Sequence, residues 1–286
     1  MSKKIIKIFL NKFPFLKKIA ISIFSFFGFL RPFFINRRDV FSNNSRPDSK
    51  NKKKSVVSEI TAIIKTFESP ESLDRLIRSI RKFYPDLEIL VADDSRYPQG
   101  RKDVAYYIMP FDSGLSAGRN LLLSQVNTPY FLLLDDDYVF DNDTKLEVFL
   151  EIIKKGFDIV GGEWKNDISY HGILVKDKDV LYQKREHRGF FQEHELYDIV
   201  HNFFLGRTET VYRVGWDNNL KIVEHTDFFL RAKEVLKITY TNDVKIMHKR
   251  DKRNINYKIY RDRTVKYSSL FIKKHGIKKV IGFDGG

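Results

Sequence analysis

Three consecutive carboxylates follow an apolar run in the segment YFLLLDDDYVF, residues 130–140. The run before Asp135, Asp136 and Asp137 is typical of a strand buried on both faces. Like charges this close repel one another, and burial raises the cost of keeping them ionised. Mg²⁺ and Mn²⁺ would offset that cost, because both prefer carboxylate oxygens and keep positions open for phosphate oxygens. The segment therefore predicts a divalent-cation site, with an acidic turn that only caps the next segment as the alternative.

Other ligand sites that use acidic or glycine-rich segments fit the sequence poorly. An EF-hand loop needs glycine at its sixth position, and the sixth residue counted from Asp135 is Phe140. No G-x-G-x-x-G follows the first predicted strand, which argues against a nicotinamide-type dinucleotide fold. The chain contains no cysteine, so it has neither a disulfide framework nor a thiolate metal site, and this fits a reducing compartment.

Strand and helix patterns alternate through the middle of the chain. This alternation predicts a mostly parallel sheet, in which ligands bind at the carboxyl ends of the strands. Asp93 and Asp94 lie at such an end, as do the three carboxylates that follow the apolar run. Ser69 and Ser116 are predicted to cap helices. The predicted strands are 59–67, 87–95, 130–134 and 157–164, and helices are predicted from Pro70, from Ser116 and over 143–155.

The positive charge is concentrated at the two ends of the chain. Residues 1–54 contain 14 Lys and Arg against 2 Asp, and residues 245–279 contain 13 against 2, whereas residues 55–244 carry a net negative charge. The apolar run 19–30 is shorter than the roughly 20 residues that span a bilayer. Its Phe-rich and Lys-rich surroundings favour a segment lying on an anionic membrane surface, with a buried helix and solvated tail as the alternative. No nucleic-acid motif accompanies the basic arm, so no nucleic-acid partner is expected.

The order of the blocks IIKTF, LVADDS, GLSAGRN and LLLDDDYVF resembles family 2-like glycosyltransferases with the GT-A fold. This resemblance covers roughly residues 58–250 and implies an α/β fold, with a mostly parallel central sheet and helices on both faces. Longer blocks resemble the catalytic domain of animal β-1,4-N-acetylgalactosaminyltransferases of the ganglioside type, namely RSIRKFYP, ADDS, MPFDSGLSAGRNLLLSQV, LLLDDDYVF, DIVGG and HNFFLGRTETVYRVGWD.

The resemblance implies a set of residues around the sugar donor. Asp93 would hydrogen-bond the uracil, with Asp94 beside it, and Thr66 would lie against the nucleotide. Asp135 would face the ribose, while Asp136 shapes the turn. Asp94 and Asp136 also have a purely structural alternative. The remaining implied donor contacts are Arg119, Asn120, His201 and Asn202.

The resemblance also implies a metal site and a catalytic base. Asp137 would bind Mn²⁺ or Mg²⁺ together with His248, because KIMHKRDKRN resembles the metal-binding H-x-R-D-K block of β-1,4-galactosyltransferases. An inverting transfer needs a base for the acceptor hydroxyl, and His225 occupies the position of the usual base. A histidine with a pKa near neutrality serves this purpose at physiological pH. Asp227 and Glu224 are the alternatives for that role.

We therefore predict a metal-dependent, inverting glycosyltransferase that moves a sugar, with N-acetylgalactosamine in β linkage favoured, from a UDP-sugar to a glycan or glycolipid acceptor. The prediction divides the chain into a basic membrane-associating arm and linker (1–55), a GT-A catalytic domain (56–250) and a basic helical extension (251–286). A short chain without cysteine or a luminal domain suits a cytoplasmic bacterial enzyme of surface polysaccharide or lipooligosaccharide synthesis, peripheral at the inner membrane face. The alternatives are a catalytically silent nucleotide- or carbohydrate-binding protein on the same fold and a basic membrane-associated adaptor. Trp164 and Trp216 are candidates for the acceptor side.

Overall fold

The computed structural model describes residues 56–165, 169–249 and 264–283. The predicted arm and linker over 1–55 lie outside the described residues, as does the first part of the basic helix predicted over 257–274. Within the described part of the chain, no helix is both long enough and apolar enough to cross a membrane. The three described ranges belong to one compact unit.

An eight-stranded sheet forms the centre of the fold, in the order β3-β2-β1-β4-β11-β6-β12-β5. The first four strands in this order run parallel, and β12 is parallel to β6. Only β11 within the row, and β5 at its edge, run antiparallel to their neighbours. The strands of this sheet are β1 (Ile60–Thr66), β2 (Glu88–Asp93), β3 (Ala105–Ile108), β4 (Tyr130–Asp135), β5 (Tyr138–Val139), β6 (Ile159–Trp164), β11 (Phe204–Arg207) and β12 (Ile238–His248).

Helices cover both faces of this sheet, and the predicted fold is confirmed. Apolar side chains of α1 and α3 form one core with alternate residues of the central strands. Apolar side chains of α2, α4, α5 and α6 form the other core with the intervening strand residues. The helices are α1 (Pro70–Phe83), α2 (Leu115–Gln125), α3 (Leu146–Lys154), α4 (Thr208–Val214), α5 (Glu224–Ala232) and α6 (Thr264–His275).

Two small sheets lie outside the central one. A three-stranded sheet has the order β13-β8-β7, in which the C-terminal strand β13 runs parallel to β8. A short antiparallel pair joins β9 and β10. These strands are β7 (Ile173–Asp177), β8 (Val180–Lys184), β9 (Phe190–Phe191), β10 (His194–Glu195) and β13 (Lys279–Ile281).

The helix beginnings differ from the predicted caps. Residue Gly114, with φ of 95°, precedes α2 as its N-cap, and Ser116 lies inside the helix and donates its hydroxyl to the Leu220 carbonyl at 2.6 Å. The prediction of Ser116 as a cap is therefore wrong, because its side chain binds a loop 104 residues away. Ser69 is the N-cap residue of α1 and Pro70 follows it, but the Ser69 side chain makes no capping hydrogen bond.

Candidate active site

The three carboxylates lie at the carboxyl end of β4, where the central strands β1 and β2 also end. Asp135 is the last residue of β4 and pairs in register with Lys65 of β1. The Thr66 hydroxyl donates to Asp136 Oδ2 at 2.6 Å, which turns this carboxylate toward β1. Burial, together with the neighbouring Asp137 charge, raises the pKa of Asp136 to about 7. Thr66 thus ties the Asp136 side chain to the end of β1, which fits a residue that shapes the turn.

Asp137 and His248 are brought together by the pairing of β5 with β12. Asp137 Oδ2 lies 3.0 Å from His248 Nε2, and the Asp137 carbonyl accepts the Lys249 N–H at 2.8 Å. Asp137 Oδ1 is buried and has no hydrogen-bond partner. An imidazole and a carboxylate with one unsatisfied buried oxygen fit a divalent cation that completes its shell with water and phosphate. The described residues contain no group of three or more His, Cys, Asp and Glu arranged to hold a metal by themselves.

A buried arginine connects the carboxylates to α5. Arg119 on α2 donates from one terminal nitrogen to Asp135 at 3.0 Å and from the other to Glu224 at 2.5 Å, and its side chain is 1% exposed. Burial opposes the charge of Arg119, but the two carboxylates outweigh it and the pKa of the guanidinium is raised. Burial also raises the pKa of Asp135, against the effect of Arg119. The predicted donor contact Arg119 is therefore buried, and its guanidinium joins the end of β4, through Asp135, to the start of α5, through Glu224.

His225 lies one residue into α5 and is oriented by Asn202. Its Nδ1 is 2.6 Å from Asn202 Oδ1, which only accepts, so this contact favours the neutral ring with its proton on Nδ1 and Nε2 as the acceptor. The ring also has a hydrogen bond with the Val200 backbone. Burial, followed by the positive charge of Arg119, lowers the pKa of His225 to about 3. The expectation of a pKa near neutrality is therefore not met. The ring stays neutral at physiological pH, and its acceptor nitrogen is a weak base.

Asp227 occupies the opposite face of α5 and is not placed to act as a base. Two residues along a helix correspond to a rotation of about 200°, so Asp227 points away from His225. Its carboxylate is completely buried and pairs with Arg231, Lys274 and His275 at 2.6–3.0 Å. Although burial alone would raise it, these partners hold the pKa of Asp227 below its ordinary value. Asp227 as the alternative base is corrected to a structural anchor, and Glu224 is likewise occupied by Arg119.

The acids after β2 differ in their surroundings. Asp93 accepts the Ser95 N–H at 2.8 Å and the Tyr106 hydroxyl. Asp94 is 1% exposed, forms a short ion pair with Lys65 and accepts the Gly114 N–H at 2.7 Å. The structural alternative is therefore favoured for Asp94, which fixes the start of α2. Asp93 as the uracil ligand stays a prediction.

Asn120 braces the loop that precedes α5. Its side chain donates to the Trp216 carbonyl at 2.7 Å and accepts the Trp216 N–H at 2.8 Å. A further hydrogen bond joins it to Asn218. Trp216 is buried in the core and stacks on Phe228. Both residues thus have structural contacts, and neither presents its side chain as a free ligand.

A row of aromatic rings joins the Asp137–His248 pair to the candidate base. Trp164 lies 4.3 Å from His248 and stacks on His201 at 3.9 Å, measured between ring centroids. Tyr170 donates its N–H to His201 Nε2 at 2.9 Å, and its ring lies 5.5 Å from that of His225. The sequence does not indicate Tyr170 as a site residue, because no motif surrounds it and the row exists only after β6, β11 and α5 have packed.

Comparisons with known proteins agree with this geometry. The family model described as Glycosyl transferase family 2 matches residues 61–219, more than half of the chain. The chain belongs to glycosyl transferase family 2. Mouse β-1,4 N-acetylgalactosaminyltransferase 2 is 42% identical over 183 residues, which are 60% of this chain and 35% of the relative. Human β-1,4 N-acetylgalactosaminyltransferase 1 is 40% identical over 192 residues, with the same shares. The chain thus spans about a third of the length of these relatives.

Solved structures of the family's fold are also similar. The crystal structure of S. aureus TarS 1–349 matches with a TM-score of 0.51 at 16% identity, covering 67% of this chain and 60% of TarS. The complex of the same protein with UDP-GlcNAc matches with a TM-score of 0.51 at 17% identity, covering 68% and 59%. At this identity the likeness concerns the fold, and it supports the predicted GT-A architecture.

In this family 2 protein, replacement of Arg119 by methionine is expected to lower the free energy of unfolding by about 3 kcal/mol, because Glu224 is left as an uncompensated buried carboxylate. Urea unfolding of the full chain measures the loss. Arg213→Met is the matched control, since its partner Glu209 lies one turn away and both side chains are more than 70% exposed. Such a pair contributes about 0.5 kcal/mol or less. Equal losses in the two variants would contradict the bridge.

Buried neutral histidines are expected to make stability fall at acidic pH. The pKa values of His225 and His201 are lowered by burial to about 3 and about 2. Between those values and the unfolded value of about 6.5, the unfolded chain binds more protons, so stability falls as pH decreases. His225 alone should account for about 2 kcal/mol at about pH 5.

The pH effect is measured by urea unfolding of the full chain at about pH 7 and about pH 5. His225→Gln should reduce the difference between the two, whereas His187→Gln, at an exposed position, should leave it unchanged. Identical pH dependence in the wild type and His225→Gln would show that His225 does not have a lowered pKa.

Proposed function

We propose that this protein is a metal-dependent, inverting glycosyltransferase that transfers N-acetylgalactosamine in β linkage from UDP-N-acetylgalactosamine to a glycan or glycolipid acceptor. The observation that carries the proposal is the Asp137–His248 pair at 3.0 Å, with a buried, unpartnered carboxylate oxygen at the carboxyl ends of the central strands. Family membership supports the reaction type. The similarity to β-1,4 N-acetylgalactosaminyltransferases at 40–42% identity supports the sugar.

On the donor side, Asp137 and His248 would hold Mn²⁺ or Mg²⁺, which when bound neutralises charge on the diphosphate leaving group. Asp93 binds the uracil and Asp135 binds the ribose. The Thr66 hydroxyl holds the Asp136 carboxylate toward β1 by a hydrogen bond. Arg119 fixes Asp135 from below, so that the ribose contact is held by a buried ion pair.

On the acceptor side, His225 accepts the proton of the attacking hydroxyl at Nε2. Asn202 holds the ring by its Nδ1–H at 2.6 Å, which sets the tautomer that this step needs. The rings of Trp164 and Tyr170 line the span between the metal-binding pair and the base. Aromatic faces of this kind suit the apolar C–H face of a sugar ring, and they limit the access of water to it.

The proposed cellular setting follows from the positive charge concentrated near the N-terminus and the C-terminus of the chain. The arm at 1–55, with its Phe and Lys residues, would attach the protein to an anionic membrane surface at the cytoplasmic side. Residues 56–250 would form the catalytic domain and residues 251–286 a helical extension. Synthesis of a bacterial surface polysaccharide or lipooligosaccharide fits an enzyme that meets its acceptor at the membrane.

Calorimetric titration of the full chain with UDP-N-acetylgalactosamine, with and without Mn²⁺, tests the donor. UDP-N-acetylglucosamine and UDP-glucose are the comparisons, and the tightest donor identifies the sugar. Binding of no UDP-sugar by folded protein in the presence of Mn²⁺ would overturn the proposal.

A second candidate is a nucleotide-sugar-binding protein without turnover on the same fold. One observation favours it, because a His225 with a pKa of about 3 is a weak proton acceptor. Release of UDP during incubation with donor and a panel of β-glycoside acceptors separates the two candidates. Tight, metal-dependent donor binding without UDP release with any acceptor would support the binding protein.

A further inference from the structure

The C-terminal segment, residues 264–283, lies outside the range matched by the family model. It nevertheless packs against α5, the helix that carries the candidate base His225. Tyr267 and Phe271 of α6 are buried in the same core as α5. Strand β13 then adds to the small sheet formed by β7 and β8. The segment therefore contacts α5, which carries His225, and the small sheet that begins just after Tyr170.

The first contact is a buried ion-pair cluster behind α5. Asp227 Oδ1 accepts from Lys274 Nζ at 2.6 Å and lies 2.8 Å from His275 Nε2. Lys274 also binds Asp217 at 2.7 Å, in the loop that leads toward α5. Because Asp227 is completely buried, its charge needs these partners, and α5 is held against α6 at this point. His225 occupies the first turn of the same helix, on its other side.

The second contact is between Phe283 and Tyr170. Their ring centroids are 4.9 Å apart at an interplanar angle of 90°, and Tyr170 in turn lies 5.5 Å from His225. Gly172 makes room for this arrangement, since a Cβ at that position would lie 2.6 Å from Phe283 Cε1. Phe283 therefore packs against the ring that itself contacts His225.

We propose that the C-terminal segment is a positioning element of the acceptor side, in which Asp227 and Lys274 fix the helix of His225 and Phe283 fixes Tyr170 against it. This inference rests on the proposed transferase function. It assigns Asp227 and Phe283 as positioning residues, and it explains why a carboxylate two residues from the candidate base is buried and paired rather than presented to a substrate.

Two variants of the full chain test the two contacts. Lys274→Met removes a charge from Asp227 but keeps the length of the stem, and Phe283→Ala removes the ring. With UDP-N-acetylgalactosamine, Mn²⁺ and water as the acceptor, each is expected to lower kcat for UDP release by on the order of 10-fold to 100-fold, because a small displacement of the base is costly. The KM for the donor and calorimetric UDP binding should not change. Phe283→Tyr, which keeps the ring, should restore kcat.

Lys278→Met is the matched control for Lys274→Met. Lys278 lies on the surface of the same C-terminal segment, and it too pairs with an aspartate, Asp179. A second readout does not depend on turnover. The imidazole NMR signals of His225, assigned by their loss in His225→Gln, are expected to shift in Lys274→Met and Phe283→Ala but not in Lys278→Met. This readout separates the present inference from the proposed function, which fails if the wild type neither binds UDP nor releases it.

A double-mutant cycle distinguishes positioning from proton transfer at Asp227. If Asp227 acts through Lys274, Asp227→Asn and Lys274→Met lower kcat to similar extents, and the double variant is no worse than either. Loss of turnover in Asp227→Asn alone, with Lys274→Met unaffected, would make Asp227 the base and overturn the inference. Wild-type kcat and unshifted His225 signals in both Lys274→Met and Phe283→Ala would overturn it as well.

Discussion

Replacing His225 by glutamine is expected to lower turnover by about 100-fold to 10,000-fold, the range that a positioned general base contributes, while UDP binding stays unchanged. The separation follows from the geometry. His225 lies on α5 and is held by Asn202, whereas Asp137 directly precedes β5 and His248 ends β12. Turnover of UDP-N-acetylgalactosamine and calorimetric titration with UDP measure the two quantities independently.

The pH profile of the wild type gives a second measure of the same residue. With a pKa of about 3, His225 remains deprotonated from physiological pH down to mildly acidic pH. Its protonation should therefore not limit kcat above about pH 5.

His187→Gln is the matched control for His225→Gln, because it makes the same exchange at an exposed position. Full turnover in His225→Gln would show that the base lies elsewhere, and loss of UDP binding would place His225 on the donor side.

Much of this geometry was predictable because it is set by local patterns. The central strands are buried on both faces, so each appears in the sequence as a short apolar run ending in polar residues. The carboxyl ends of parallel strands meet at one edge, which places Thr66, Asp93 and Asp135 together once the alternation of strands and helices is recognised. The sequence does not predict strand β3, since it is a four-residue edge strand with no buried residue.

The roles that could not be predicted depend on contacts between distant segments. The place of Asp227 in EHTDFF makes it a candidate base, yet two of its three partners lie 47 and 48 residues further along the chain. The GLSAGRN block makes Arg119 a candidate donor contact, yet its side chain joins Asp135 to Glu224, which lies 105 residues away. In both cases the residue type and block were identified, while the direction of the side chain was decided by the packing of α5.

The lowered pKa of His225 also results from contacts between distant segments. An isolated histidine pattern implies a pKa near 6.5, whereas burial and the nearby guanidinium of Arg119 lower it to about 3. A negatively charged donor bound near Arg119 would offset part of that positive charge, so the basicity of His225 is expected to depend on the loaded state of the site.

Asp137→Asn is expected to abolish the metal dependence of UDP-sugar binding. The neutral amide cannot supply the charged oxygen that Mn²⁺ or Mg²⁺ prefers, and the buried Oδ1 that now has no partner is the atom available to a cation. Turnover should fall with binding, by at least about 100-fold, since loss of a direct ligand costs more than loss of an outer-shell partner. Calorimetric titration with UDP-N-acetylgalactosamine, with and without Mn²⁺, measures the effect.

Asp141→Asn provides the matched control for Asp137→Asn. Asp141 lies four residues further along the chain, after β5, and its carboxylate pairs with Lys165 at 2.6 Å. The same chemical change at that position should leave Mn²⁺-dependent binding intact, and the two variants are expected to have similar thermal stability. Mn²⁺-dependent binding that survives in Asp137→Asn would mean that the pair with His248 is an internal hydrogen bond and that the diphosphate is neutralised by other charges. Loss of Mn²⁺-dependent binding in both variants would instead indicate that the substitutions disturb the folding of the turn. Loss confined to Asp137→Asn would make the carboxylate of Asp137, with its buried and unsatisfied Oδ1, the group that binds the ion.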